Sequence, residues 1–136
     1  MTPLTPIDSD IFVAGQIDPA DVAEAASAGV TMIVNNRPDH EEPGQPASDA
    51  IREAAEAAGL AYRHIPVAGG LAPDQVEAMA EAIDQAGGKL LAFCRSGTRS
   101  TYLWALARAA RGAEAEALVN QAAAAGYDLT PIRRFL

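Results

Sequence analysis

The single cysteine of the chain, Cys94, closes an apolar run, KLLAF (89–93), and opens the stretch CRSGTRS (94–100). A thiol in that place could pass on a sulfur atom, attack a phosphoester, or fill space as a small apolar group. The neighbouring residues favour chemistry. Arg95 and Arg99 bring positive charge, and Gly97 permits a backbone turn that a side chain would strain. A helix-like pattern follows, so its free N–H groups and dipole point back at the loop. The successive amides of Arg95, Ser96, Gly97, Thr98 and Arg99 can line a cradle for an oxyanion. The arginines, the dipole and the amides together favour the thiolate of Cys94. Ser100 stands at the expected N-cap, where its hydroxyl can also reach the sulfur. This chemistry requires that the sulfur be open to solvent and that the amides converge on it.

The rest of the chain has to hold that loop at the end of a strand. IFVAG (11–15), VTMIVN (30–35), LAYRHIPV (60–67) and KLLAF (89–93) read as strands. Between them lie helical patterns. One opens with Asp18 as N-cap and Pro19 in the first turn and stops at Gly29. A second is capped by Ser48 and ends at Gly59, and a third starts at Pro73. After the cysteine loop come helices over 100–111 and 113–125, then a tail with one more short turn. This order predicts an α/β fold: a central four-stranded, mostly parallel sheet flanked by helices. Ligands of such sheets bind at the carboxyl ends of the strands, where Cys94 falls. The loop NRPDHEEPGQP (36–46) is longer than packing requires, and long ordered loops often serve a site.

Composition narrows the function classes. A chain of 136 residues is expected to form a single domain, 1–136. A net charge of -8 disfavours nucleic acid and anionic membranes as partners. The N-terminus carries no signal-peptide pattern, and the longest apolar run is too short to cross a bilayer, so a cytoplasmic protein is expected. One cysteine excludes an internal disulfide and a cysteine-rich zinc site. His40, beside Glu41 and Glu42, reads as part of a solvated loop rather than a metal site, and His64 as a packed or edge residue. No metal or organic cofactor is implied. Leu103 and Trp104 read as core.

Four motifs in order, VAGQI, VNNRPDHEEPGQP, YRHIPVAGG and LLAFCRSGTRS, resemble the beta-lactamase hydrolase-like family, phosphatase-like domain, whose members are also labelled sulfur transferases. The resemblance covers residues 10–110 and implies a protein tyrosine/dual-specificity phosphatase-like fold. It matches Cys94 to the nucleophile, Arg99 to the arginine that clamps the anion, and Ser100 to the serine after it. Arg37, Glu42 and Gln45 match the family's polar loop, either as a pocket rim or as a tie through an Arg37–Glu42 pair.

Two departures from the phosphatase pattern matter. Four residues separate Cys94 from Arg99, where phosphatases have five, so the cradle is tighter. Where phosphatases carry a proton-donating aspartate, this chain has Ala68 and Gly69; Asp74 and Asp39 are the nearest substitutes. Phe93 replaces the usual phosphatase histidine. These features make the leading expectation a sulfurtransferase: Cys94 takes sulfane sulfur from a small anionic donor and hands it to an external thiol acceptor. Phosphomonoester hydrolysis through a phosphocysteine is the alternative, and an inactive anion-binding regulatory domain is the third.

Overall fold

VTMIVN and KLLAF become neighbouring central strands because both are apolar on both faces, as a sheet covered on each side requires. The computed structural model describes residues 2–136. Its strands are β1 (Thr5–Pro6), β2 (Ile11–Ala14), β3 (Val30–Asn35), β4 (Ala61–His64) and β5 (Lys89–Phe93). The helices are α1 (Pro19–Ser27), α2 (Ser48–Ala57), α3 (Pro73–Gln85), α4 (Thr98–Ala110) and α5 (Ala115–Ala124), followed by a 3-10 helix over Thr130–Phe135.

The strands lie in the order β1-β2-β5-β3-β4, and all pairs but β1–β2 are parallel. Alternate side chains of each strand pack to opposite faces. Val13, Met32, Val34, Leu90 and Ala92 face α3, α4 and α5, where Met79, Leu103, Trp104 and Leu118 are buried. Ile33, Leu91 and Phe93 face α1 and α2, against Val22, Ala25, Ile51 and Ala55. Leu103 and Trp104 are core, as expected, and the indole N–H of Trp104 donates to Asp8 at 2.7 Å.

Among the described residues the sheet has five strands, not four. β1 adds antiparallel to β2 with only two residues, Thr5 opposite Val13 and Pro6 opposite Phe12. So short a segment has no alternation to read, and its proline suits only an edge. β4 is shorter than 60–67; past His64 the chain still docks on the sheet, through Ile65 N–H to Asn35 O and Val67 N–H to Asn36 O. Asp18 caps α1 through a reciprocal pair with Asp21. Ser48 is not a cap: Ala47 precedes α2, and Ser48 N–H donates to Asp39 Oδ1 at 2.8 Å.

Register decides where the site falls. Phe93 of β5 lies opposite both Ala14 and Asn35, and Asn35 lies opposite His64. The four parallel strands therefore finish on one row, and Cys94 is the first residue beyond it, at the centre.

Candidate active site

The loop after β5 is held from outside by its carbonyls. Arg95 O accepts from Gln16 N–H at 3.2 Å and Ser96 O from the Tyr127 hydroxyl at 3.1 Å. Gly97 O accepts from Thr101 N–H at 2.9 Å and from its hydroxyl at 2.8 Å. The first tie requires Gly15, where a Cβ would meet Arg95 O at 3.0 Å. Gly97 is the N-cap of α4 and has φ +91, a conformation that a side chain disfavours. Its N–H donates to Cys94 Sγ at 3.1 Å. A helix N-terminus and an amide thus meet at the sulfur, an arrangement that favours an anion there.

Three expectations about this loop need correction. α4 starts at Thr98 rather than Ser100. The Ser100 hydroxyl is buried and donates to Asn36 Oδ1 at 2.8 Å, so it braces the β3 end instead of reaching the thiol. Cys94 is 0% exposed, so its sulfur does not meet solvent directly. The hydroxyls of Ser96 and Thr98 lie 3.1 Å apart on the loop's outer side, and Arg95 is 69% exposed, 3.7 Å from Glu42.

Arg99 is only a quarter exposed and its guanidinium is fixed. Nη1 donates to Glu41 Oε2 at 2.7 Å and to Val67 O at 2.8 Å, and Nη2 donates to Glu41 Oε1 at 2.9 Å. A guanidinium has five N–H bonds in one plane. Three are spent, which leaves Nε–H and one Nη2–H, a parallel pair. The bond to Glu41 holds Arg99 firmly charged.

Glu41 is held in turn. Arg37, 2% exposed, donates from Nε to Glu41 Oε1 at 2.8 Å, from Nη2 to Glu42 Oε1 at 2.9 Å and from Nη1 to Gln16 Oε1 at 3.0 Å. Gln45 ties the loop back on itself, accepting from Glu41 N–H at 3.0 Å and donating to Pro38 O at 2.8 Å. His64 Nε2–H donates to the Arg37 carbonyl at 2.9 Å. The Arg37–Glu42 tie is thus present, and Arg37 and Gln45 both bond within the loop. Asp39 faces α2 and is not brought to the sulfur. Among the described residues, no three His, Cys, Asp or Glu side chains converge as metal ligands. The apolar groove of about 340 Å³ lined by Gly70, Leu71, Val76, Leu106 and Phe135 holds none of the loop residues.

The bond from Arg99, joined by that from Arg37, pulls the Glu41 carboxyl from its ordinary 4.5 to about 2. A carboxyl held low in the folded state stabilises the fold fully above its unfolded value and loses that contribution as the pH falls towards 2. The thermal midpoint of the wild type is therefore expected to exceed that of Glu41→Gln near neutrality. The gap should close below about pH 4.5. A gap that is constant with pH would show that the Glu41 charge is not what the fold uses.

Two residues of this site escape sequence reasoning. Glu41 carries a signal in its i,i+4 spacing from Arg37, but its bond to Arg99, 58 residues on, has none. Tyr127 follows α5, and nothing in its local pattern points to the loop.

Residues 4–112 match the family described as beta-lactamase hydrolase-like protein, phosphatase-like domain. A beta-lactamase hydrolase-like protein of Xylella fastidiosa (strain Temecula1) is 38% identical over 128 residues, which is 90% of this chain and 29% of that protein. The chain thus spans about three tenths of the length of the curated relatives it matches. Among solved structures, the nma1982 protein of Neisseria meningitidis, named as a candidate phosphatase, is 34% identical with a TM-score of 0.84 over 96% of this chain and 94% of that one. Tk-PTP in its active form superposes with a TM-score of 0.72 at 22% identity, covering 96% of this chain and 90% of that one. The fold is that of the tyrosine and dual-specificity phosphatases.

Proposed function

The chain belongs to the beta-lactamase hydrolase-like protein, phosphatase-like domain family, and we propose that it hydrolyses phosphomonoesters through a phosphocysteine on Cys94. The observation that carries this reading is the pair of N–H bonds that Arg99 keeps free while Glu41 and Val67 fix its other three. A fixed planar pair suits two oxygens of a tetrahedral anion and needs no reorganisation as charge develops. The Cys94 thiolate attacks phosphorus, the P–S bond forms, and the ester P–O bond breaks with its electron pair on the leaving oxygen. Water then attacks phosphorus, the S–P bond breaks, and inorganic phosphate leaves with the thiolate restored. Because the sulfur is fully covered, entry of substrate requires a neighbouring side chain to move.

A second reading, sulfane-sulfur transfer, is favoured by the absence of an acid. Ala68 and Gly69 stand where the proton donor is expected, Asp39 is bound to Ser48, Asp74 lies exposed in the first turn of α3, and Glu41 at about 2 stays ionised. In that reaction Cys94 attacks the outer sulfur of a donor such as thiosulfate and the S–S bond breaks. Sulfite leaves with the electron pair, and the persulfide passes to an external thiol. Either reaction needs a reduced thiol, so we place the protein in the cytoplasm, as one domain over 1–136.

One preparation assayed for both reactions tests the proposal. Aryl phosphates with acidic phenols should be hydrolysed, and alkyl phosphates should be slower by a further factor of ~100 to ~10,000, since the leaving oxygen receives no proton. Transfer from thiosulfate to cyanide without aryl phosphate hydrolysis would replace this reading with the second.

A further inference from the structure

We propose that Tyr127 is a positioning residue for Cys94, acting through one peptide plane. It lies outside residues 4–112, the part that matches the family. The turn after α5 presents it: Gly126 has φ +95, and Tyr127 N–H returns to Ala122 O at 2.8 Å. Leu129 and Ile132, both buried, anchor the segment that follows. The Tyr127 hydroxyl then donates to Ser96 O at 3.1 Å.

The Ser96 carbonyl and the Gly97 N–H belong to the same peptide unit. A peptide unit is planar, with C=O and N–H directed to opposite sides. Holding the carbonyl at Tyr127 therefore aims the N–H, and that N–H is the one 3.1 Å from Cys94 Sγ. A hydrogen bond to the carbonyl also polarises the unit, strengthening its N–H as a donor by roughly 10–30%. The fit is close: a Cβ on Gly97 would run into the Tyr127 hydroxyl. Burial, and then the charge of Cys94, hold the phenol above its ordinary range, so it remains a donor at neutral pH.

The inference rests on the proposal only in taking Cys94 as the nucleophile, and it holds for phosphoryl and for sulfur transfer alike. Its test needs no turnover. Cys94 is the only cysteine, so alkylation by iodoacetamide, followed by mass spectrometry, reports that sulfur alone. In Tyr127→Phe the rate near pH 6 should fall about three- to tenfold, the worth of one modest hydrogen bond. The difference should vanish on the alkaline side, where the thiolate forms in both proteins. A rate equal to the wild type at every pH would overturn the inference. So would a uniform change at every pH, which would mark altered access instead. Circular dichroism of the variant confirms that the fold is kept. If neither phosphate esters nor thiosulfate react, the function proposed above fails while the alkylation profile still decides the role of Tyr127.

Discussion

Cys94→Ser is expected to abolish aryl phosphate hydrolysis, with a fall of at least about ten-thousandfold in kcat. The site supplies what a thiolate needs and lacks what an alcohol needs. Gly97 N–H and the start of α4 favour a negative atom at position 94, but among the described residues no general base is placed to take a proton from a hydroxyl. The nearby carboxylate, Glu41, is committed to two arginines. His64 gives its Nε2 to the Arg37 carbonyl. The exchange leaves the fold intact, because the serine oxygen is smaller than sulfur and can still accept from Gly97. Gly97 N–H and Arg99 also remain, so Cys94→Ser should bind tungstate with near wild-type affinity. Calorimetric titration beside the hydrolysis assay separates loss of chemistry from loss of the site. Hydrolysis that persists in the variant would place the nucleophile elsewhere and end the phosphocysteine proposal.

The contrast between residues that the chain announces and those it conceals has a physical basis. Cys94, Gly97 and Arg99 are legible because their chemistry depends on neighbours in sequence: a strand end, a turn and a helix start within seven residues. The parallel sheet is legible for the same reason, since apolar runs alternate with helical patterns and need no long-range knowledge. Strand order is another matter. Setting β5 between β2 and β3 joins segments dozens of residues apart, and the common finishing row follows from a register that no local pattern states. Ser100 shows how local logic misleads: helix-start preference assigns it to the thiol, yet the end of β3 brings Asn36 within 2.8 Å, and that partner wins. Glu41 shows the reverse. It reads as one of two solvated acids, but Arg37 is buried and bonded to it, and Arg99 arrives from the first turn of α4, 58 residues on. β1 is illegible because two residues carry no period.

Arg99→Lys is expected to lower kcat/KM by about a hundred- to a thousandfold, the cost of losing a fixed donor to developing charge. The substitution keeps the charge and removes the plane. Lysine offers three donors from one nitrogen, so it cannot hold both Glu41 oxygens and the Val67 carbonyl while presenting a parallel pair to a substrate. Tungstate affinity should fall with activity. Stability should change little, since Glu41 keeps Arg37 as a partner and the Arg99–Glu41 pair is partly exposed. Arg37→Lys should behave oppositely. Arg37 is 2% exposed and joins Glu41, Glu42 and Gln16, so its loss should depress the thermal midpoint first, with activity following as the loop loosens. Glu41→Gln discriminates further. Its amide can accept only one of the two Arg99 bonds, so a tenfold fall in activity is expected, on the order of one lost charge-assisted bond. Because Glu41 acts through Arg99, the double variant should lose scarcely more than Arg99→Lys alone. Losses that multiply instead would mean that Glu41 meets the substrate directly, and the carboxylate would have to be reassigned from orienting the clamp to contacting what the clamp holds.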